Sequence, residues 1–245
     1  MSIIETIGTA ELVYMAVVLL MAYVIKGVAG FGSGLIAVPL LTMVAPLTLV
    51  VPLLGLVSYT GTLIQSYQYR KDVVWKDCLR VLPFSILGVT LAIWLFQQLD
   101  LFWLNKALAV FIMSYALMSL RSESGEVKNR LWAIPAGFFA GLVGALFGTG
   151  GPFYVAYLKL RRLNKTAFRG TIVFIFLFDG AIRISAYGVS GFYPPDVLIM
   201  SLFGLPVLLA GLYLGHHIHL TISKQRFNQI ISLILFVSGM VLFFK

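Results

Sequence analysis

Of the 245 residues, 60% are hydrophobic and 11% are charged, with a mean hydropathy of +0.97, which places the chain far from soluble domains and makes it an integral membrane protein. A formal charge of +9 would suit a nucleic-acid binder in a soluble chain, but here the cations stand in short stretches between apolar runs, so the partner is the lipid bilayer and not nucleic acid. A lone cysteine, Cys78, excludes an intramolecular disulfide and a thiolate metal cluster.

The opening Met1-Ser2-Ile3-Ile4-Glu5-Thr6 is acidic and lacks a small-residue cleavage site, so no cleaved signal peptide is expected. Apolar runs then follow at roughly 11–30, 33–45, 47–69, 79–97 and 101–120, and again at roughly 131–148, 151–160, 168–188, 195–215 and 227–244. About 20 helical residues are needed to cross about 30 Å of hydrocarbon. The runs at 33–45 and 151–160 are therefore too short to cross alone and read as half-helices.

Basic residues orient these runs. Arg70, Lys71, Lys76 and Arg80 share one loop, Arg121, Lys128 and Arg130 the next, Lys159, Arg161, Arg162, Lys165 and Arg169 a third, and Lys224 and Arg226 a fourth. The positive-inside rule puts all four in the cytoplasm. Glu5, Glu11, Asp100 and Asp196, with Lys106 and Lys245, then face outward, and both termini are expected in the periplasm of the cell inner membrane. The expected architecture is an all-α polytopic membrane protein: an inverted repeat of two five-segment halves, each a glycine-broken helical hairpin plus three transmembrane helices. The halves are 1–121 and 131–245, joined by a cytoplasmic linker at 122–130. Matches at equal spacing support the duplication: Leu82-Pro83 with Gly88 against Leu205-Pro206 with Gly211, and Asn105 against Asn228.

The breaks themselves are Phe31-Gly32-Ser33-Gly34 and Phe147-Gly148-Thr149-Gly150-Gly151. Backbone groups freed by a break inside a bilayer must be packed in protein or line a polar cavity. The run Gly30-Phe31-Gly32-Ser33-Gly34-Leu35-Ile36-Ala37-Val38-Pro39-Leu40-Leu41, paired with Gly148-Thr149-Gly150-Gly151-Pro152, resembles the TauE/SafE family of sulfite exporters and anion permeases. The resemblance covers nearly the whole chain in length, span pattern and repeat. It implies carriage of small sulfur-containing oxyanions or organic acids, such as sulfite, sulfonates and sulfoacetate, across a bacterial inner membrane. In one departure, the counterpart of Pro39 is displaced to Pro152.

The break residues can hold an anion without formal charge. The start of a half-helix presents unpaired N–H groups and about half a positive charge, and two such ends meeting at the midplane form an anion site. Gly32, Gly34, Gly148, Gly150 and Gly151 let a ligand reach backbone, and Ser33 and Thr149 add hydroxyls. Close helix packing is the alternative role for these glycines.

Three ionisable residues fall inside spans, Lys26, Asp179 and Arg183, each needing a partner or a wet cavity. Asp179 and Arg183, four apart on one helix face, can pair with each other, leaving Arg183 either self-neutralised or available to substrate. Lys26, one turn before Gly30, either donates to an anion or snorkels to the interface. Proton coupling would have to run through Asp179, the histidines or the substrate's own protonation. Gln65, with Gln68, either lines the path or marks the cytoplasmic interface. Trp75, Trp103, Trp132 and Tyr193 read as interfacial belt residues.

His216, His217 and His219 lack nearby carboxylates and read as interface residues, so no metal, cofactor or catalytic constellation is expected. The expected function is secondary transport of a small anion by alternating access, one half rocking against the other. A passive anion channel, a carrier of another small organic acid, or a membrane-embedded enzyme or assembly subunit are the alternatives, and a homo-oligomer is compatible with the sequence.

Overall fold

The computed structural model describes residues 8–29, 32–119, 130–217 and 224–244, with the side chains of 29, 119, 130, 165 and 224–231 excepted. Gly30, Phe31, Glu5, Arg121, Lys128, His219 and Lys245, and the side chains of Lys165, Lys224, Arg226 and Asn228, lie outside that set.

The described residues form ten α-helices: α1 (Thr9–Ala29), α2 (Ser33–Leu41), α3 (Leu47–Tyr69), α4 (Trp75–Gln98), α5 (Leu101–Ser119), α6 (Ala133–Phe147), α7 (Gly151–Leu160), α8 (Lys165–Val189), α9 (Pro195–His217) and α10 (Lys224–Phe244), with a 3-10 turn at Arg130–Trp132 before α6. Six of them have the length and apolarity to span a bilayer. This is an all-helical, multi-pass membrane protein. Outward faces carry side chains such as Val13, Leu87, Trp94, Leu202 and Phe203, which a lipid solvent accommodates without penalty.

Helix positions follow the apolar runs, with differences at polar edges. α4 begins at Trp75, not near 79, because Lys76, Asp77 and Arg80 are part of the helix and Asp77 is buried in its first turn. α8 begins at Lys165 because Asn164 caps it, its side-chain oxygen accepting from the Ala167 N–H at 2.8 Å. α2 stops at Leu41, and residues 42–45 form a turn in which the Thr42 hydroxyl donates back to the Val38 carbonyl.

At 1.5 Å per residue, the nine residues of α2 and the ten of α7 span only about 14 and 15 Å, half a hydrocarbon core. α2 folds back along α1, so that the Tyr14 hydroxyl near the start of α1 donates to the Leu40 carbonyl at the end of α2, 3.1 Å away. Both reversals use glycine in the left-handed region: Gly32 at φ 96° and Gly148 at φ 65°. Gly148 ends α6 as a C-cap, its N–H bonding the Gly144 carbonyl at 2.9 Å. Pro152 sits in the first turn of α7, where its missing N–H costs no intrahelical bond.

Packing crosses between the halves. The longest contacts run α4 against α6, α1 against α9, α5 against α10, and α3 against α8, followed by α3 with α9 and α4 with α8. Interchanging the two halves turns this set of pairings into itself. The matched glycines explain how: a Cβ on Gly88 would stand 2.1 Å from the Phe138 carbonyl oxygen of α6, and one on Gly211 would stand 2.6 Å from Tyr23 Cβ and 3.1 Å from the Leu20 carbonyl of α1. Small residues here let helix backbones touch, the common membrane solution where lipid supplies no hydrophobic drive.

Candidate functional site

The two breaks meet. A Cβ added to Gly34 would lie 2.1 Å from the Gly148 carbonyl oxygen, and one on Gly148 would lie 3.2 Å from the Val38 side chain. The starts of α2 and α7 thus border one space, a cavity of about 90 Å³ bounded by both breaks, by the last turn of α1 and by the middles of α3 and α8. One water needs about 10–15 Å³ measured this way, so the space suits a few waters or a solute of a few heavy atoms.

Lys26 does not snorkel. It is 6% exposed, its Nζ donates to the Ser58 carbonyl at 2.8 Å and to the Thr62 hydroxyl at 3.3 Å, and it borders the cavity. An ammonium has three N–H donors, so one remains for a ligand.

Across the cavity, Arg183 and Asp179 do pair, Nη2 to Oδ2 at 2.9 Å, while Nη1 donates to the Gly144 carbonyl at 2.8 Å. Asp179 is further held through its other oxygen by the Tyr154 hydroxyl at 2.8 Å and by the Ser85 hydroxyl. Tyr154 belongs to α7 and Ser85 to α4, so this carboxylate fastens three helices together. Arg183 is not spent on it: its Nε is buried without a protein partner.

Thr149 makes the same point. It is 2% exposed, borders the cavity, and its hydroxyl has no partner. A buried unpaired hydroxyl costs about 1–3 kcal/mol, so a group absent from the protein itself is needed to satisfy it. Ser33, 5% exposed, borders the same space from the first turn of α2. Two cations against one carboxylate leave the lining with a formal charge of +1, and the two half-helix ends add roughly half a charge each.

Of the residues singled out from sequence, Lys26, Gly32, Ser33, Gly34, Gly148, Thr149, Gly150, Gly151, Asp179 and Arg183 all border this cavity. Gln65 does not; it lies half-buried on α3 nearly a turn beyond Thr62. Ser58, Thr62, Ser85 and Tyr154 were not legible, because a hydroxyl within an apolar helix carries no mark of what it faces. Tyr193 departs from the interfacial belt: its hydroxyl is buried and its ring packs edge-on against Tyr187 at 6.2 Å. It stands in the loop between α8 and α9, and burial pushes its phenol pKa up, which keeps it a neutral donor. Tyr187 in turn donates to the Ala145 carbonyl. His216 and His217 are exposed at the end of α9, and no group of metal-ligating side chains occurs among the described residues.

A second polar cluster lies at the far end of α7. Asp77, fully buried, accepts at Oδ1 from Tyr157 (2.9 Å), Arg161 Nε (2.9 Å) and Arg80 (3.2 Å). The Thr171 hydroxyl of α8 accepts from the Val74 N–H at 3.0 Å beside it. These bonds place loops 70–74 and 161–164, both rich in cations, at one end of the molecule. Lys106 donates to the Phe243 carbonyl, joining the start of α5 to the end of α10.

Paired half-helices meeting inside a multi-pass bundle, with embedded cations at their junction, define the class: a membrane transport protein with a broken-helix site. The profile of the TauE/SafE sulfite exporters matches residues 14–242, and the chain belongs to that family. It is also similar to the probable inner membrane transporter protein TsaS of Comamonas testosteroni, 27% identical over 179 residues that cover 70% of this chain and 73% of the relative. No solved structure matches.

Proposed function

We propose that this chain is a secondary transporter that carries a small sulfur-containing oxyanion or organic anion, of the sulfite, sulfonate or sulfoacetate kind, across the bacterial inner membrane by alternating access. The carrying observation is the cavity between the breaks, where the buried Thr149 hydroxyl and Arg183 Nε are left without protein partners beside a lysine with a donor to spare. Donors from both half-helix ends, two side-chain cations and a hydroxyl suit an oxyanion with several acceptor atoms. Net positive charge in a low-dielectric site excludes cations, and the small volume excludes bulky solutes.

The helix pairings support this reading, since a set preserved on interchanging the two halves is what alternating access between equivalent arrangements would use. Transport family membership accords with a carrier and not an enzyme. Asp179 is the acidic group bordering the cavity, so proton coupling through the protein would run through it. Asp179→Asn with unchanged pH dependence of transport would exclude that coupling role.

The test is labelled sulfite uptake into proteoliposomes preloaded with unlabelled sulfite. The reading expects saturable counterflow that Lys26→Met abolishes; linear flux without counterflow would favour a channel and refute it.

A further inference from the structure

The sequence suggests that each half is a mechanical unit. The packing does not follow that division. α4, the fourth helix of the first half, lies in the second hairpin: Cβ atoms on Gly137 and Gly141 of α6 would stand 2.3 Å and 2.2 Å from the carbonyl oxygens of Val81 and Ser85. α9, the fourth helix of the second half, lies in the first hairpin: a Cβ on Gly215 would stand 2.3 Å from the Val24 carbonyl oxygen. Such approaches, repeated along one helix pair as at Gly137 and Gly141, hold the two helix backbones together.

The polar bonds draw the same boundary. α4 is fastened to α7 by Asp77 with Tyr157 and Arg161, and by Ser85 with Tyr154; to α8 by Ser85 with Asp179; and α8 is fastened to α6 through Arg183 and Gly144. On the other side, α1 is fastened to α3 by Lys26 with Ser58 and Thr62 and by Tyr23 with Ser58, and to α2 by Tyr14 with Leu40. Each of these bonds lies within one of two sets, α4-α6-α7-α8 or α1-α2-α3-α9. The sets meet along α3 and α8 and where Gly34 abuts Gly148. The cavity lies at that meeting, with Lys26, Ser33 and Thr62 on one side and Thr149 and Arg183 on the other.

We infer that the two bodies that move during transport are these sets, each a hairpin with its third helix and the fourth helix of the opposite half, and that the bound anion is the polar contact joining them. This deepens the transport reading and rests on it. A rocking of residues 1–121 against 131–245 would instead have to break the glycine crossings and both carboxylate clusters on every cycle. Parting the two sets breaks none of the hydrogen bonds named above; it gives up the Gly34–Gly148 approach and the α3–α8 contacts of Gly180 with Tyr59 and Gly170 with Tyr69.

Spin labels on lipid-facing positions away from the cavity decide between the two divisions. Leu91 on α4, Phe139 on α6, Met21 on α1 and Leu202 on α9 are 37%, 45%, 47% and 67% exposed, whereas native Cys78 is 1% exposed and stays unlabelled. Distances are measured by pulsed electron resonance in lipid nanodiscs, with and without saturating sulfite. The pairs Leu91/Phe139 and Met21/Leu202 are expected to hold their distances, while Leu91/Met21 and Phe139/Leu202 shift by several ångströms. The inference is overturned if Leu91/Phe139 shifts while Leu91/Met21 holds, the signature of halves moving as units. It is equally overturned if no pair responds in protein that exchanges sulfite in counterflow. The two readings fail separately, since absent counterflow refutes the transport reading, and intact counterflow with the wrong pattern of distances refutes the grouping alone.

Discussion

Replacing Gly34 with alanine perturbs the junction of the breaks by a single methyl group. That methyl would sit 2.1 Å from the Gly148 carbonyl oxygen and 3.0 Å from its carbon, against an ordinary carbon–oxygen contact of about 3.3 Å. Both neighbours are backbone, so no side chain can swing aside and the two hairpins must part by about 1 Å. Inserting one methylene into a packed interior costs about 1–3 kcal/mol, and parting the hairpins also moves the half-helix ends off the anion they share. The expected outcome is a lower melting temperature together with a rise of about tenfold or more in the KM for sulfite, which corresponds to about 1.4 kcal/mol. Gly55→Ala is the control on the same cavity, because its Cβ would meet only the Tyr187 ring at an ordinary 3.7 Å. Thermal melting and counterflow in proteoliposomes measure both quantities. If Gly34→Ala melts and transports like the parent protein, the breaks do not touch as described and the argument fails.

Three further substitutions read the other groups. Thr149→Val removes an unpartnered buried hydroxyl without changing shape, so melting in the absence of anion should be unchanged or higher while the KM for sulfite rises; lowered stability with unchanged KM would make the hydroxyl structural. Asp179→Asn leaves Arg183 buried without its carboxylate, a class of change that costs about 3–5 kcal/mol, so folded yield should fall by size-exclusion profile, and Asp179→Asn combined with Arg183→Met should recover fold but not transport. Asp77→Asn weakens three bonds whose arginine partners are about a quarter to a third exposed, so its expected cost is smaller, about 1–2 kcal/mol, with the KM preserved because Asp77 does not border the cavity; a KM shift as large as that of Thr149→Val would contradict this.

Much of the architecture is written in local chemistry. Apolar run length sets the helices, and glycine pairs flanked by apolar runs mark the reversals, since only there does the chain need a left-handed residue inside hydrocarbon, as at Gly32 and Gly148. The Asp179–Arg183 pair is legible because helical spacing of four brings its members together. What faces them is not, because Ser85 and Tyr154 reach Asp179 from 94 and 25 residues away, and nothing in their own surroundings distinguishes them from other hydroxyls in apolar helices. Lys26 resisted for a similar reason: its partners on α3 are a carbonyl and a threonine. Asp77 sits between Lys76 and Arg80 in a stretch that reads as a solvated loop, yet burial of one carboxylate among Tyr157, Arg161 and Arg80 pulls that stretch into α4. The crossing of α4 and α9 into opposite hairpins is a long-range choice made by glycine contacts, so sequence adjacency pointed to the halves instead.

The central claim is that an anion rests between the two glycine breaks. Selenite, the heavier counterpart of sulfite, can be located by its anomalous scattering in crystals of the protein. A peak within hydrogen-bonding reach of Lys26 Nζ, Thr149 Oγ1 and Arg183 Nε, lost in Lys26→Met, is the result expected; selenite bound elsewhere in protein that competes for sulfite transport, with nothing at the junction of Gly34 and Gly148, would contradict the account.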